Sequence, residues 1–323
     1  MFENPLPGVP AVESPFFDAI FTKGTIDEDT LAIARQLRDK GFAVIDFPEP
    51  DFDRIASEIR DDLNDRYDWE HWRTAGYQAG ESLRMQDAFK FNDNVRRIAT
   101  NARVIEILST IFGRQAWPFQ TLNFPVGTQQ HFHTDSVHFS SMPQRFMCGV
   151  WTAFEDISED AGPLVYYPGS HHWPIYTNEH IGARAEQKHE IGAGYGALWR
   201  ELVKQSGIEP ERFTPRKGQA LIWLSNLLHG GDKQNDPSLT RWSQVTHYFF
   251  EGCSYYTPLH SDPFLGNIAF REMTNICTGE IVRNTISGAP VPHRLVHPPA
   301  PAPIPSGSLL RRVARRAKAA LTR

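Results

Sequence analysis

The chain is predicted to be mainly β with flanking helices, closed into a sandwich or barrel. Three observations carry this expectation. Between residues 117 and 250, short runs rich in aromatic and β-branched residues recur between turn signals. Helical periodicity is concentrated before residue 113. The composition, 323 residues with 40% hydrophobic and 12% aromatic content, suits a globular protein with a sizeable core.

The elements follow in order. Thr25 to Thr30 supplies hydroxyl and acidic residues that cap a helix, whose buried stripe is Leu31, Ile33, Ala34 and Leu37. Gly41 ends it, and Phe42 to Phe47 is a strand. Pro50 to Leu63 is a second helix, and Asn101 to Phe112 a third, with Asn101 as N-cap and Gly113 closing it. The texture then changes to strands: Trp117 to Phe124, Phe146 to Phe154, Leu164 to Tyr167, Ala220 to Leu224 and Gln244 to Phe250. Asn178 to Ser206 interrupts them with polar and helical character, an insertion placed to cover a site mouth. The organisation is thus a domain over 1–289, a Pro-rich linker over 290–307 and a basic amphipathic helix over 308–323. In that tail Leu310, Val313, Ala317 and Leu321 share a face and five cations crowd the rest. It is either a solvated tail or a weak contact to an anionic membrane or a partner protein.

Composition excludes several classes. A net charge of −5 implies no general attraction to nucleic acid. Three widely spaced cysteines, Cys148, Cys253 and Cys277, point to a reducing cytoplasm rather than a disulfide framework. The first fifteen residues lack the basic and apolar regions of a signal peptide, and no apolar run is long enough to span a bilayer. The expected location is cytoplasmic.

Chemistry concentrates in Gln130 to Asp135, which contains His133-Thr134-Asp135. On a strand, His133 and Asp135 project to the same face. His229, arriving from a distant strand, would complete a face of two imidazoles and one carboxylate. That is the ligand set of non-heme Fe(II) oxygenases, with opposite positions open to substrate and O2. Arg241, twelve residues after His229, suits a dicarboxylic cosubstrate, because its planar fork holds a carboxylate through two hydrogen bonds.

From Gly41 to Gly252 the sequence resembles the phytanoyl-CoA dioxygenase family of Fe(II)/2-oxoglutarate oxygenases. Five motifs carry the resemblance in order: His133-x-Asp135, the Trp151-Thr-Ala strand, Gly162-Pro-Leu with Pro168-Gly-Ser-His, His229-Gly-Gly, and the trailing Arg241. The resemblance implies a double-stranded β-helix, the cupin-like jelly roll. It implies His133, Asp135 and His229 as iron ligands and Arg241 as the anchor of the distal 2-oxoglutarate carboxylate. Arg84, Gln120 and Trp151 match positions that contact 2-oxoglutarate, Arg84 standing where the family can have Lys. Gly231 stands where relatives can have Ser, and Ser243 is the candidate to replace that hydroxyl. The implied cofactors are Fe(II), 2-oxoglutarate and O2, and the implied reaction is hydroxylation of an unactivated C–H of a small organic substrate, giving succinate and CO2. Asp135 favours hydroxylation, since halogenating relatives replace this carboxylate with a small residue.

Other readings stay open. His131 shares a face with His133 on a regular strand, so a cupin-like enzyme using that pair without 2-oxoglutarate is one alternative. A binding module with a vestigial metal site is another. His138 either faces substrate or is an ordinary histidine. His171 and His172 belong to turn structure, and Trp223, Tyr166 and Tyr167 to core or cavity lining. Arg184, Lys188, Arg200 and Lys204 either favour an anionic substrate or form a solvated helix face.

Overall fold

A computed structural model describes residues 3–75 except 23 and 25, 83–291 except 287, and 296–297. The stretch expected to form a tail helix, 308–323, and most of the expected linker, 290–307, lie outside the described residues. Within the stretch taken as linker, Val296–His297 pairs in parallel with Phe270–Arg271, so strand pairing reaches residue 297.

Among the described residues the α-helices are α1 (Phe17–Ile20), α2 (Glu28–Lys40), α3 (Phe52–Asn64), α4 (Trp69–Ala75), α5 (Asp93–Ala99), α6 (Ala102–Phe112) and α7 (Lys188–Ser206). Capping sets their ends. Asp27 accepts the Thr30 N–H at 2.8 Å to start α2, and Gly41, at φ 85°, closes it in the left-handed conformation that glycine adopts without penalty. Asn101 Oδ1 accepts the N–H groups of Arg103 and Val104 to start α6, while its Nδ2 donates to Pro48 O. The predicted strand start at residue 42 and the three predicted helices are present, within a few residues at their ends. The short α4 and α5 were not anticipated, since each has seven residues, fewer than two turns of periodicity.

The strands that position the site are β1 (Phe42–Asp46), β2 (Met85–Gln86), β3 (Ala116–Phe124), β4 (Ser140–Met142), β5 (Met147–Ala153), β6 (Leu164–Tyr166), β7 (Glu211–Phe213), β8 (Gln219–Leu224), β9 (His229–Gly231), β10 (Ser243–Phe250), β11 (Ser254–Tyr256) and β12 (Phe270–Arg271). The major sheet has the order β1-β8-β5-β10-β3-β2, antiparallel throughout. Two minor sheets, β7-β6-β9 and one containing β12-β11-β4, form the facing layer. The result is the predicted jelly roll.

Side-chain alternation divides the major sheet. Ala220, Ile222 and Leu224 of β8 and Cys148 and Val150 of β5 join the outer core, where α2, α3, α5 and α6 bury Leu37, Ile55, Ile59, Val95 and Leu108. Leu221 and Trp223, with Trp151 and Ala153, point the opposite way, into the roll. Both faces are buried, so β5 and β8 read as near-continuous apolar runs. The helical cover thereby leaves the inner face free to carry function. Asn101→Ala should lower stability by about 1–2 kcal/mol by orphaning two helix N–H groups. In urea denaturation the midpoint should fall with an unchanged slope.

Candidate active site

His133 and His229 come together through backbone pairing. The His133 N–H donates to His229 O at 2.9 Å and the His229 N–H to His133 O at 3.0 Å. This antiparallel bridge sets the rings side by side, with centroids 4.5 Å apart. The expectation of a regular strand through His133 and Asp135 is corrected here. Pairing stops at His133, and Asp135 opens a 3-10 turn (Asp135–Val137) whose Phe139 N–H returns to Asp135 O at 2.7 Å. Asp135 still reaches the imidazoles: its Oδ1 lies 3.7 Å from His133 Nε2 and 3.9 Å from His229 Nε2. One ligand atom from each of the three residues lies within 4.8 Å of the others.

Each imidazole is oriented from behind. His133 Nδ1 lies 3.0 Å from His131 O and His229 Nδ1 3.0 Å from Leu227 O. A carbonyl only accepts, so both Nδ1 atoms carry hydrogen and both Nε2 lone pairs face the metal position. His131 contributes that carbonyl while its ring is exposed and outside the cluster, which corrects the His131/His133 alternative. The turn itself is held by a buried relay: Thr134 Oγ1 to Ser136 Oγ, Ser136 Oγ donating to Asn226 Oδ1 at 2.8 Å, and Asn226 Nδ2 donating to Trp173 O.

Two neighbours of Asp135 escaped the sequence reading in this role. Trp223 Nε1 donates to Asp135 Oδ2 at 2.7 Å, and His247 Nε2 lies 3.8 Å from the same oxygen. The carboxylate is thereby divided, Oδ2 engaged by the protein and Oδ1 turned to the imidazoles. His247 Nδ1 in turn bonds Gln120 Oε1 at 3.0 Å. A signal for His247 existed: it is two residues after Val245 and so shares the cavity face of β10 with it. Burial alone would raise the Asp135 carboxyl, but the surrounding imidazoles of His229, His247 and His133 and the Trp223 N–H hold it below the usual range. Burial, with repulsion from His229, lowers His133. Burial also takes His247 and His171 down to about 4. His171 acts structurally, its Nε2 bonding Arg38 O at the end of α2.

These side chains line one cavity of about 480 Å³, together with Arg84, Gln120, Trp151 and Arg241. Arg241 is 1% exposed. Its Nη1 donates to Gly162 O at 2.9 Å and its guanidinium sits 5.7 Å over the Trp151 ring. Its Nε has no partner, and no carboxylate lies within ion-pair distance among the described residues. Burial lowers its pKa to about 10, which leaves it charged near neutrality. Trp151 Nε1 is likewise buried without a partner. Orphaned buried donors are rare in proteins, and here two belong to residues that line the same cavity. Arg84 stands at the exposed rim. Ser243 does not line the cavity, and its hydroxyl bonds Arg241 O. A Cβ on Gly231 would lie 2.7 Å from Thr128 Oγ1, so glycine is required there, and Thr128 brings a hydroxyl to the cavity instead.

Two imidazoles and a carboxylate on one face of a jelly roll, with open positions opposite, define a non-heme iron enzyme fold and site. The Arg241 guanidinium, without a carboxylate partner among the described residues, fits a bound dicarboxylate. Residues 16–236 match the phytanoyl-CoA dioxygenase family, and the chain belongs to it. The cofactors of that family, Fe(II), 2-oxoglutarate and O2, are those the site is built to take. Among solved structures the chain is similar to the non-heme alpha ketoglutarate dependent epimerase SnoN from nogalamycin biosynthesis, at 16% identity over 84% of this chain and 98% of that one, with a TM-score of 0.52. It is similar to the carbocyclase SnoK of the same biosynthesis, at 14% identity over 81% and 95%, with a TM-score of 0.55. It is also similar to EctD from S. alaskensis with 2-oxoglutarate and 5-hydroxyectoine, at 16% identity over 74% and 81%, with a TM-score of 0.52. At these identities the likeness is one of fold. No curated protein matches the chain significantly. Among the described residues no helix is long and apolar enough to cross a membrane.

Trp223→Phe removes the bond to Asp135 Oδ2 and should weaken Fe(II) affinity about tenfold or more in a chelator competition, with secondary structure unchanged. A second outcome concerns pH. Between about 6.5 and 4 the unfolded chain binds protons at His247 and His171 that the folded, metal-free chain does not. Stability of the metal-free protein should therefore fall as pH drops through that window, by up to about 1.4 kcal/mol per pH unit for each histidine. Urea midpoints measured across the window check the sign.

Proposed function

We propose that the protein is a dioxygenase that hydroxylates an unactivated C–H of a small organic substrate, with 2-oxoglutarate oxidised to succinate and CO2. The observation that carries this reading is Arg241: a buried guanidinium without a carboxylate partner among the described residues, in the same cavity as the metal triad. Burying such a charge is costly unless an anion accompanies it. A keto-diacid supplies that anion.

When bound, the ferrous ion and 2-oxoglutarate supply the oxidising chemistry. His133, Asp135 and His229 would hold the ion from one side of the cavity. Trp223 engages Asp135 Oδ2, so Oδ1 is the oxygen that would ligate. Arg241 would receive the distal carboxylate through Nη2, its nitrogen without a protein partner, with its guanidinium braced over the Trp151 ring. Gln120 steadies His247 behind Asp135, while Arg84 adds positive charge at the rim. The carboxylate at position 135 favours hydroxylation because no small residue opens a site for halide. The substrate is expected to be a small molecule, with no nucleic-acid partner. A membrane or protein contact through residues 308–323 is proposed as a separate property of the tail.

The anaerobic protein with Fe(II) and 2-oxoglutarate should show the weak visible charge-transfer band of chelated iron, and under air it should form succinate slowly without substrate. Iron binding without the band would end the 2-oxoglutarate reading. Arg241→Gln should raise the 2-oxoglutarate KM about 100-fold, equivalent to roughly 3 kcal/mol, with iron affinity preserved. Asp135→Ala should abolish turnover, and full activity in that variant would remove Asp135 from the ligand set.

A further inference from the structure

An outer chamber of about 880 Å³ adjoins the metal cavity, and the two share His133, His138 and Leu259 in their linings. Its other wall is α7, which presents Ile191, Tyr195 and Trp199 together with Gly192 and Gly196. These positions recur at helical spacing, so one face of the helix looks into the chamber. Glycine is among the poorest helix formers, and its usual justifications are absent at both positions. Neither has a positive φ. A Cβ on Gly192 would meet nothing within 4 Å, and one on Gly196 would meet only the flexible end of Arg200, at 3.4 Å. Gly194 differs, because a Cβ there would lie 2.9 Å from Ile181 Cδ1. Among the described residues only the Arg200 side chain approaches this pair, at Gly196, and both glycines leave open space on the chamber side of the helix.

A second observation lies on the metal side. Arg271 lines the inner cavity, its guanidinium 4.9 Å over Phe139 and its Nη1 donating to Thr257 Oγ1 at 3.1 Å. Its Nη1 also approaches His138 O at 3.5 Å. Its Nε is buried without a partner, and the Nε/Nη2 edge makes no hydrogen bond among the described residues. The nearest acid acting on it, Asp87, lies beyond ion-pair distance and is paired with Lys90 at 3.3 Å. Asp135 is the one carboxylate lining this cavity among the described residues. Ferrous ion, Asp135, dianionic 2-oxoglutarate and Arg241 neutralise one another, which leaves Arg271 and the rim Arg84 as the surplus positive charges of the cavity lining.

We propose that the substrate is an amphiphilic carboxylate, its acid group accepting from Arg271 Nη2 near the metal and its apolar body lying in the outer chamber against the Gly192–Gly196 face of α7. Nη2 is the guanidinium nitrogen that neither bonds the protein nor is sealed from the cavity among the described residues, and a carboxylate accepts a charge-assisted hydrogen bond from it. Aromatic and aliphatic walls with open space at the two glycines suit a broad apolar body. This assignment rests on the oxygenase reading, and it explains why the helical insertion closes over the site.

Three probes test it on the full chain, loaded anaerobically with Fe(II) and 2-oxoglutarate: 1-pyrenebutyrate, uncharged 1-pyrenebutanol, and butyrate. In fluorescence titration the pyrenebutyrate should bind saturably, one per chain, and at least tenfold more tightly than the alcohol. Butyrate should not displace it at equal concentration. Arg271→Gln should abolish the preference for the charged probe and leave affinity for the alcohol as it was. Gly192→Leu and Gly196→Leu should each weaken both probes at least tenfold, and the alanine variants should do so by less. Thermal midpoints at or above that of the parent chain would show that these helix variants are folded. Equal binding of charged and uncharged probes by the parent, or parental affinity in the folded leucine variants, would overturn the assignment. The charge-transfer band recorded in the same samples separates the two readings. Loss of the band with probe preferences intact counts against the oxygenase and upholds the chamber, whereas an intact band without probe binding overturns the chamber.

Discussion

A pair of backbone hydrogen bonds between His133 and His229 is the constraint on which the site depends. It joins residues almost a hundred positions apart and sets their imidazoles next to each other before any metal is considered. Each ring then takes its tautomer from a main-chain carbonyl, and Asp135 takes its orientation from Trp223. The ligand face is thus assembled by backbone geometry and second contacts rather than by attraction among the ligands, two of which burial disfavours in their charged forms.

Glycine placement repeats the same logic at closer range. Gly230 and Gly231 follow His229 because the segment Thr128–Phe132 passes within contact distance of their backbone, and any side chain would push the bridge apart. Gly149, paired with Trp223 on one side and His247 on the other, leaves space for the indole that holds Asp135. Small residues here are the reason that large polar ones can reach the metal position.

Electrostatics give the cavity its direction. Among the described residues one carboxylate faces three arginines, of which Arg241 is fully buried and Arg271 half-buried. A protein tolerates such an imbalance where ligands complete it. In the proposed complex the dianionic cosubstrate would offset the charge of the metal ion and an anionic substrate part of the remaining positive charge, with the chamber beneath α7 adjoining the place where they meet.

The order of motifs, from His133 through His229 to Arg241, was legible in the sequence, because ligand chemistry restricts those positions to few residue types. So were the caps at Asn101 and Gly113 and the strand runs of β3, β5, β8 and β10, whose signals are local. Trp223 and His247 were visible only as aromatic and polar residues in strands. Their meeting with Asp135 depends on register across β5, β8 and β10, which no local pattern encodes. The strand expected through Asp135 became a turn because a hydrogen-bonded relay from Asn226 outweighed local preference. Residue type along the chain therefore determined the family, the jelly roll and the ligand set. Tertiary structure alone decided which oxygen of Asp135 is turned to the imidazoles, which cavity arginines lack a carboxylate partner among the described residues, and what space α7 lines, because each follows from contacts between residues distant in sequence.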